Sequence, residues 1–380
     1  MTLVNLMKKI IIFYASFGGG HLSAAKSIQN YLEENYNNLD IELIDCMKYV
    51  NKTIEKVSTT AYKEMAKKVP WVWGKMYNDS QKGLLAHISS KANCFMAVKL
   101  LRLLREKKPD IIVSTHPFGS QMCTYLKRKG KINCKIATIL TDFKSHDQWL
   151  VGSDYTDFFF VSNTDMQKEL INKNISENKI IVTGIPVRKE FSMHHNKAEI
   201  LKNLNFSDNK KTVIFFGGGE LGIGKKITLE MFSCLVKNFS NIQIIAISGK
   251  NPNMKAFFEK TASENNKENN IRIFEFTDKV AEFMSISDLV ITKPGGLTSS
   301  ESLVSHIPMV IINPIPGQEE ENAEFLESKK VAKWIKKDDD ISFILNILLN
   351  DDTVLNNLKE NTYLIAKPDA TKNICNIIMK

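Results

Sequence analysis

Residues 289–305 read LVITKPGGLTSSESLVS, and the physical preference of the chain changes twice along them. Leu289 to Thr292 is an apolar run of strand length. Lys293, Pro294, Gly295 and Gly296 break any regular element, and a helical pattern follows over 298–305. A plain helix cap needs only a threonine or serine. The added Gly-Gly pair lets main-chain N–H groups approach an anion closely, with the positive end of the helix dipole behind them. Gly296, Thr298 and the new helix N-terminus therefore suit a diphosphate, and Glu301, one turn in, suits ribose hydroxyls.

The same order of strand, turn and helix recurs along the chain. Residues 10–15, 41–45, 111–114, 136–140, 158–161 and 180–182 read as strands, and so do 212–216, 242–247, 271–274, 289–292 and 309–312. Helices fill the gaps, notably 21–35 and 91–107. This alternation predicts parallel sheets made of βαβ units. The 380 residues are more than twice the roughly 150 of one ordinary domain, so two domains sharing a cleft are expected. The expected boundaries are 1–190 and 191–366, with a hinge near Pro186 to Asn209. After Lys367-Pro368, a terminal helix within 367–380 is expected to pack back on the first domain.

Composition removes other classes. With 43% hydrophobic and 24% charged residues, 18 Gly and 10 Pro, the chain is neither collagen-like, coiled-coil nor disordered. No apolar run approaches the roughly 18 to 20 residues of a membrane span. The opening MTLVNLMKKIIIFYASFGGGH has lysines before an apolar stretch but no cleavage pattern, and it reads as a first buried strand. A cytoplasmic location follows as an expectation. The six cysteines are scattered without metal spacing and read as reduced thiols.

Charge is uneven. Residues 1–190 carry 28 basic and 18 acidic groups, and residues 48–135 alone carry 19 against 5, so the excess sits in one segment of the first half. That segment also holds Trp71, Trp73 and Tyr77 beside Lys67, Lys68 and Lys75. One reading is a solvated lysine-rich surface; the sharper one is a docking face for an anionic membrane, where indole rings favour the headgroup region. No helix-turn-helix, RNA-recognition or zinc-finger pattern supports nucleic acid as the partner.

Two glycine clusters follow the first strand of each half, Gly18-Gly19-Gly20-His21 and Gly217-Gly218-Gly219-Glu220. Residues 217–222 match G-x-G-x-x-G, which raises a dinucleotide enzyme. The acid that should hold its ribose is missing after the next strand, where the chain gives Ser248-Gly249-Lys250. The first cluster has Asp45 at the end of its second strand, but Ser23 replaces the third glycine. His21, just past three glycines at a helix entry, is placed to act as general base or acceptor contact. Asp142 and His146 offer a carboxylate and an imidazole after another buried strand, and His116 lies at a further strand end. Gln318 and Asn322, four apart at a helix entry after Pro314-Ile315-Pro316-Gly317, suit hydroxyl recognition.

The strings FGGGH, TDF, TGIPVR, SGKN, ITKPGGLTSSES and PGQEEENA resemble family 28 glycosyltransferases, and most closely the diacylglycerol glycosyltransferases, over about residues 9–376. The resemblance implies a GT-B fold, an N-terminal lipid-acceptor domain, a C-terminal UDP-sugar domain and no metal requirement. By motif position Glu301 binds the uridine ribose, Gly296 and Thr298 with Arg188 the diphosphate, and Gln318 with Glu319 the sugar. Gly218 and Gly219 line the donor site, the main chain around Phe276 contacts uracil, and Ser248 and Asn322 fall in the same donor set. His21 resembles the acceptor base, with Gly20, Asp142 and His146 nearby. The implied activity is inverting transfer of a hexose from a UDP-sugar to 1,2-diacylglycerol by a peripheral protein on the inner membrane face. The KPGG form resembles the bacterial glucosyl branch, whereas GGGH resembles the galactosyl branch. The alternatives are transfer of N-acetylglucosamine to a polyprenyl-linked precursor and a non-catalytic nucleotide-sugar sensor.

Overall fold

A computed structural model describes residues 7–16, 19–50, 84–218 and 225–380. The expectations placed on Lys67, Lys68, Trp71, Trp73, Lys75 and Gly219 lie outside the described residues. The chain divides into two compact units, changing from the first to the second between Arg188 and Lys189 and returning to the first at Lys367.

The first unit holds β1 (Lys8–Tyr14), β2 (Leu39–Asp45), β3 (Ile111–Ser114), β4 (Lys135–Ile139), β5 (Phe158–Val161) and β6 (Ile180–Val182). They form one sheet in the order β2-β1-β3-β4-β5-β6, with every pairing parallel. The apolar runs are explained by burial on both faces, as parallel sheets require. Ile11 and Phe13 pack with Leu100, Leu104, Met122 and Leu126 on one side. Their neighbours Ile10 and Ile12 pack with Ile28, Leu32, Ile374 and Ile378 on the other, as the two-residue period of a strand dictates. The Ala370–Ile378 helix thus supplies part of this core. Lys8 Nζ donates to the carbonyls of Ile378 and Met379 at 3.1 Å each, placing a cation at that helix's negative end. Gly184, at φ 92°, leaves room for Lys367; a Cβ there would lie 2.4 Å from the Lys367 side chain.

The second unit holds β7 (Lys211–Phe216), β8 (Ile242–Ile247), β9 (Ile271–Phe274), β10 (Leu289–Thr292), β11 (Met309–Ile311) and β12 (Ala332–Trp334). Their order is β12-β11-β10-β7-β8-β9, again all parallel. In each sheet the chain leaves its first strand toward one edge and later returns to that strand's other side. This creates a switch point between β1 and β3 in one sheet and between β7 and β10 in the other. Loops at the carboxyl ends of such strands diverge and leave a crevice, which is where open α/β sheets bind ligands. Among the described residues no helix is long and apolar enough to cross a membrane.

Candidate functional site

The first switch point gathers three histidines. β1 ends at Tyr14, and the Gly20–Asn35 helix starts with His21 as its second residue, behind a Gly19 cap that offers no side-chain bond. His21 Nδ1 lies 2.7 Å from the carbonyl oxygen of Thr115, one residue past β3, and 3.2 Å from Thr141 Oγ1, just beyond β4. A carbonyl can only accept, so Nδ1 carries the proton and Nε2 keeps its lone pair. Burial pushes the His21 imidazole down to about 4, with the Thr115 bond partly opposing the shift. The ring is therefore neutral at pH 7, in the tautomer a general base needs.

His116 is held the other way round. It caps the Pro117–Arg128 helix, and its Nδ1 accepts from the Phe118 N–H at 3.2 Å, so its proton sits on Nε2. Its ring meets His21 edge to face at 4.7 Å between centroids. Burial pushes His116 well below the usual imidazole range, and the neighbouring His21 and His146 add to this. His146 is buried against Trp149 and is pushed down to about 3, chiefly by burial. Asp142 is buried at the end of β4, and its main-chain carbonyl accepts from the Ser162 hydroxyl at 2.7 Å.

These lowered values set a pH dependence. A histidine held neutral in the fold takes up a proton readily only on unfolding. Its contribution to stability is therefore complete above about pH 6.5 and is lost progressively as pH falls toward the folded values of about 4 and 3. For turnover, the base stays competent until pH falls through about 4. The acid limb of a kcat/KM profile is accordingly expected near pH 4 to 5, provided the fold persists; a limb at the ordinary histidine value near 6.5 would contradict the assignment.

The second switch point joins two glycine turns. Gly217 closes β7, where an added Cβ would meet Phe258 and Met254 at 2.8 and 2.9 Å, and Gly218 follows at φ 87°, a conformation that favours glycine. β10 leads through Lys293 and Pro294 to a Gly295 cap without a side chain, and the Gly296–Val304 helix begins there. Its first-turn N–H groups have no side-chain partner from that cap. Ser300 and Ser302 turn their hydroxyls back to the carbonyls of Gly296 and Thr298, both at 2.8 Å. Thr298 and Glu301 are half-exposed on the same helix.

This turn is locked to the one that opens the Gln318–Ser328 helix. Lys293 Nζ pairs with Glu319 Oε1 at 3.0 Å, and Glu319 Oε2 accepts from the Ile315 N–H at 2.8 Å. Glu320 accepts from the Gly317 N–H at 3.0 Å, and Asn322 Nδ2 donates to the Pro294 carbonyl at 3.1 Å.

The donor positions expected from sequence have the following surroundings. Asn322 is 1% exposed and holds the Pro294 turn through one amide N–H. Glu319 is engaged by Lys293 and the 315 amide. Ser248 is fully buried and donates to the Phe274 carbonyl at 3.2 Å, joining the ends of β8 and β9. Phe276 lies just beyond β9 and is 80% exposed. Gln318 is half-exposed at the start of its helix. Arg188 is the last residue of the first unit before the chain passes into the second, whereas the other described donor positions belong to the second. Asp45 accepts from Ser16 Oγ and from the Met47 and Lys48 N–H groups, which uses its carboxylate as a turn cap and argues against a ribose ligand. Thr115, Thr141 and Lys293 gained no role from sequence. Their partners lie 94, 120 and 26 residues away, and no local pattern signals such distances.

Two parallel six-stranded α/β units in this order are the halves of a GT-B fold. Acinetobacter baumannii MurG superimposes with a TM-score of 0.65 at 15% identity, covering 98% of this chain and 99% of that one. Staphylococcus aureus MnaA, solved with UDP, gives 0.63 at 14% identity, covering 98% and 96%. Such identities speak to fold alone. Family models take the matter further: residues 21–187 match monogalactosyldiacylglycerol (MGDG) synthase and residues 212–374 match the glycosyltransferase family 28 C-terminal domain. The chain belongs to the diacylglycerol-type glycosyltransferases of family 28. It is 29% identical over 378 residues to a processive diacylglycerol beta-glucosyltransferase of Staphylococcus epidermidis, covering 98% of this chain and 93% of the relative.

Proposed function

We propose that this protein transfers a hexose, glucose in preference to galactose, from a UDP-sugar to the free hydroxyl of 1,2-diacylglycerol, with inversion at the anomeric carbon. The observation that carries the reading is the near-full-length similarity to processive diacylglycerol beta-glucosyltransferases, which favours glucose and a repeat transfer onto the first glycolipid.

The residues have chemistry that suits the step. His21 Nε2 removes the acceptor proton as the hydroxyl oxygen attacks the anomeric carbon and the bond to the UDP oxygen breaks. The first-turn amides of the Gly296–Val304 helix stabilise the charge on the departing diphosphate in place of a divalent cation. Glu301 takes the uridine ribose, and the main chain near Phe276 the base. Gln318, half-exposed at the start of its helix, takes the sugar.

The basic segment over 48–135 supports a peripheral seat on the inner face of an anionic membrane. Charge reversal at Lys67, Lys68 and Lys75 is expected to weaken binding to phosphatidylglycerol-containing vesicles about tenfold or more, while leaving UDP affinity unchanged. Each basic residue near such a surface contributes roughly 1 kcal/mol. Sedimentation with vesicles measures the effect, and unaltered co-sedimentation would refute the docking role.

The reaction itself is tested with purified protein, mixed micelles of diacylglycerol and anionic lipid, UDP-glucose and UDP-galactose in parallel, and a chelator, with products read by mass spectrometry. A hexosyl lipid formed from UDP-glucose with chelator present is expected. Product only from UDP-N-acetylglucosamine on a polyprenyl-linked acceptor, or UDP binding without turnover, would replace this reading.

A further inference from the structure

The first turn of the Gly20–Asn35 helix has little of its own to hold it still. Its cap is Gly19, which makes no side-chain bond, and a Cβ built there meets nothing within 4 Å. Helix entries are usually fixed by a capping side chain. Here a tie arrives from the centre of the sheet. Thr115 extends β3 by one residue, its N–H donating to the Phe13 carbonyl at 2.9 Å, and it is fully buried. From that anchored position it reaches His21 twice. Its carbonyl accepts the His21 Nδ1 proton at 2.7 Å, and its hydroxyl donates to the His21 main-chain carbonyl at 2.9 Å, with a longer contact of 3.4 Å to the Phe13 carbonyl. One bond sets the ring's tautomer and the other sets the backbone that carries the ring.

We infer that Thr115 is a positioning residue for His21, its hydroxyl doing for this helix entry what a capping side chain does elsewhere. The inference rests on the reading of His21 as acceptor base. It adds that the base is aimed by β3 and not by the glycine turn that precedes it. Thr141 contacts the same ring nitrogen but touches no backbone atom of His21 that the structure records, so its hydroxyl bears on the ring alone.

Thr115→Val removes the hydroxyl at nearly constant volume and keeps the main-chain carbonyl. A base displaced by a fraction of an ångström loses much of its effect, so kcat is expected to fall about tenfold or more with KM for UDP-glucose within about twofold. Thr115→Ser, which restores the hydroxyl, is expected to return kcat to within about twofold of the starting protein. On a His21→Ala background, Thr115→Val is expected to change nothing further, because it acts through His21.

Nitrogen-15 spectra of histidine-labelled protein supply a readout independent of turnover. Unsubstituted protein should show His21 protonated at Nδ1, and the valine variant a mixture of tautomers. A folded valine variant with unchanged kcat and tautomer would overturn the inference. So would unsubstituted protein with the proton on Nε2, a result that stands even if the valine variant does not fold. If the unsubstituted protein makes no glycolipid, the proposed reaction fails, while the spectra still decide whether Thr115 sets the state of His21.

Discussion

Alanine at position 21 is expected to lower kcat about a thousandfold while UDP still binds with unchanged affinity. Proton removal by a positioned side chain is worth roughly a hundredfold to ten-thousandfold. His21 has the two properties the task needs. It is neutral because burial holds its imidazole near 4, and its Nε2 carries the lone pair because a carbonyl occupies Nδ1. His116 is no substitute, since its Nδ1 accepts a main-chain proton and its Nε2 bears one. Initial rates over a donor series, with calorimetry for UDP, separate the outcomes. Activity within tenfold of the starting protein would mean that another group takes the acceptor proton. Parallel loss of UDP binding would point instead to damage reaching the second unit.

Replacing Glu319 by alanine is expected to destabilise the second unit by about 2 to 4 kcal/mol, since it strands two partners at once. Lys293 loses its counter-ion and the Ile315 N–H its acceptor, with both charged side chains largely shielded from water. The melting temperature should fall by about 5 to 10 °C, and KM for the sugar donor should rise because the Gly296 turn is no longer braced against the Gly317 turn. Glu319→Gln keeps an acceptor for the amide and should lie between. Pairing it with Lys293→Met should recover stability, since no charge is then left alone. Scanning calorimetry without donor is the deciding measurement. An unchanged melting temperature with altered choice among sugars would return Glu319 to the role of a sugar contact.

Most of the fold was legible because buried parallel strands announce themselves as apolar runs. Ile10 to Phe13 is such a run, and the strand it marks begins two residues earlier only because Lys8 and Lys9 pair through their backbones with Leu39 and Asp40. β12 was missed for the converse reason. Ala332, Lys333 and Trp334 form a three-residue edge strand paired with Met309 to Ile311, too short and too polar to stand out. Gly217 and Gly218 at the second switch point were legible because a crowded Cβ position and a φ of 87° call for glycine there, whereas Gly19 at the first has an ordinary φ and open space around it. What could not be read was the use of ordinary polar side chains. Ser248 and Asn322 stand in plausible ligand positions, yet they hold main-chain carbonyls. Thr115 and Lys293 looked incidental and organise the two turns. Such choices depend on which atoms meet across the sheet, which is fixed only once the strands are in register.

The route by which the chain re-enters its first unit has a consequence for synthesis. Ile374 and Ile378 fill one face of the β1 sheet beside Ile28 and Leu32, yet a ribosome makes all of Lys189–Ala366 before it reaches them. At about 5 to 20 residues per second, that interval is on the order of ten to forty seconds. The second unit emerges whole and can fold as it appears, whereas the earlier-made half waits with an uncovered apolar face. The amino-terminal unit is therefore begun first, but its core can be completed only when the last residues are made. During that interval the uncovered face is where a holding chaperone would bind.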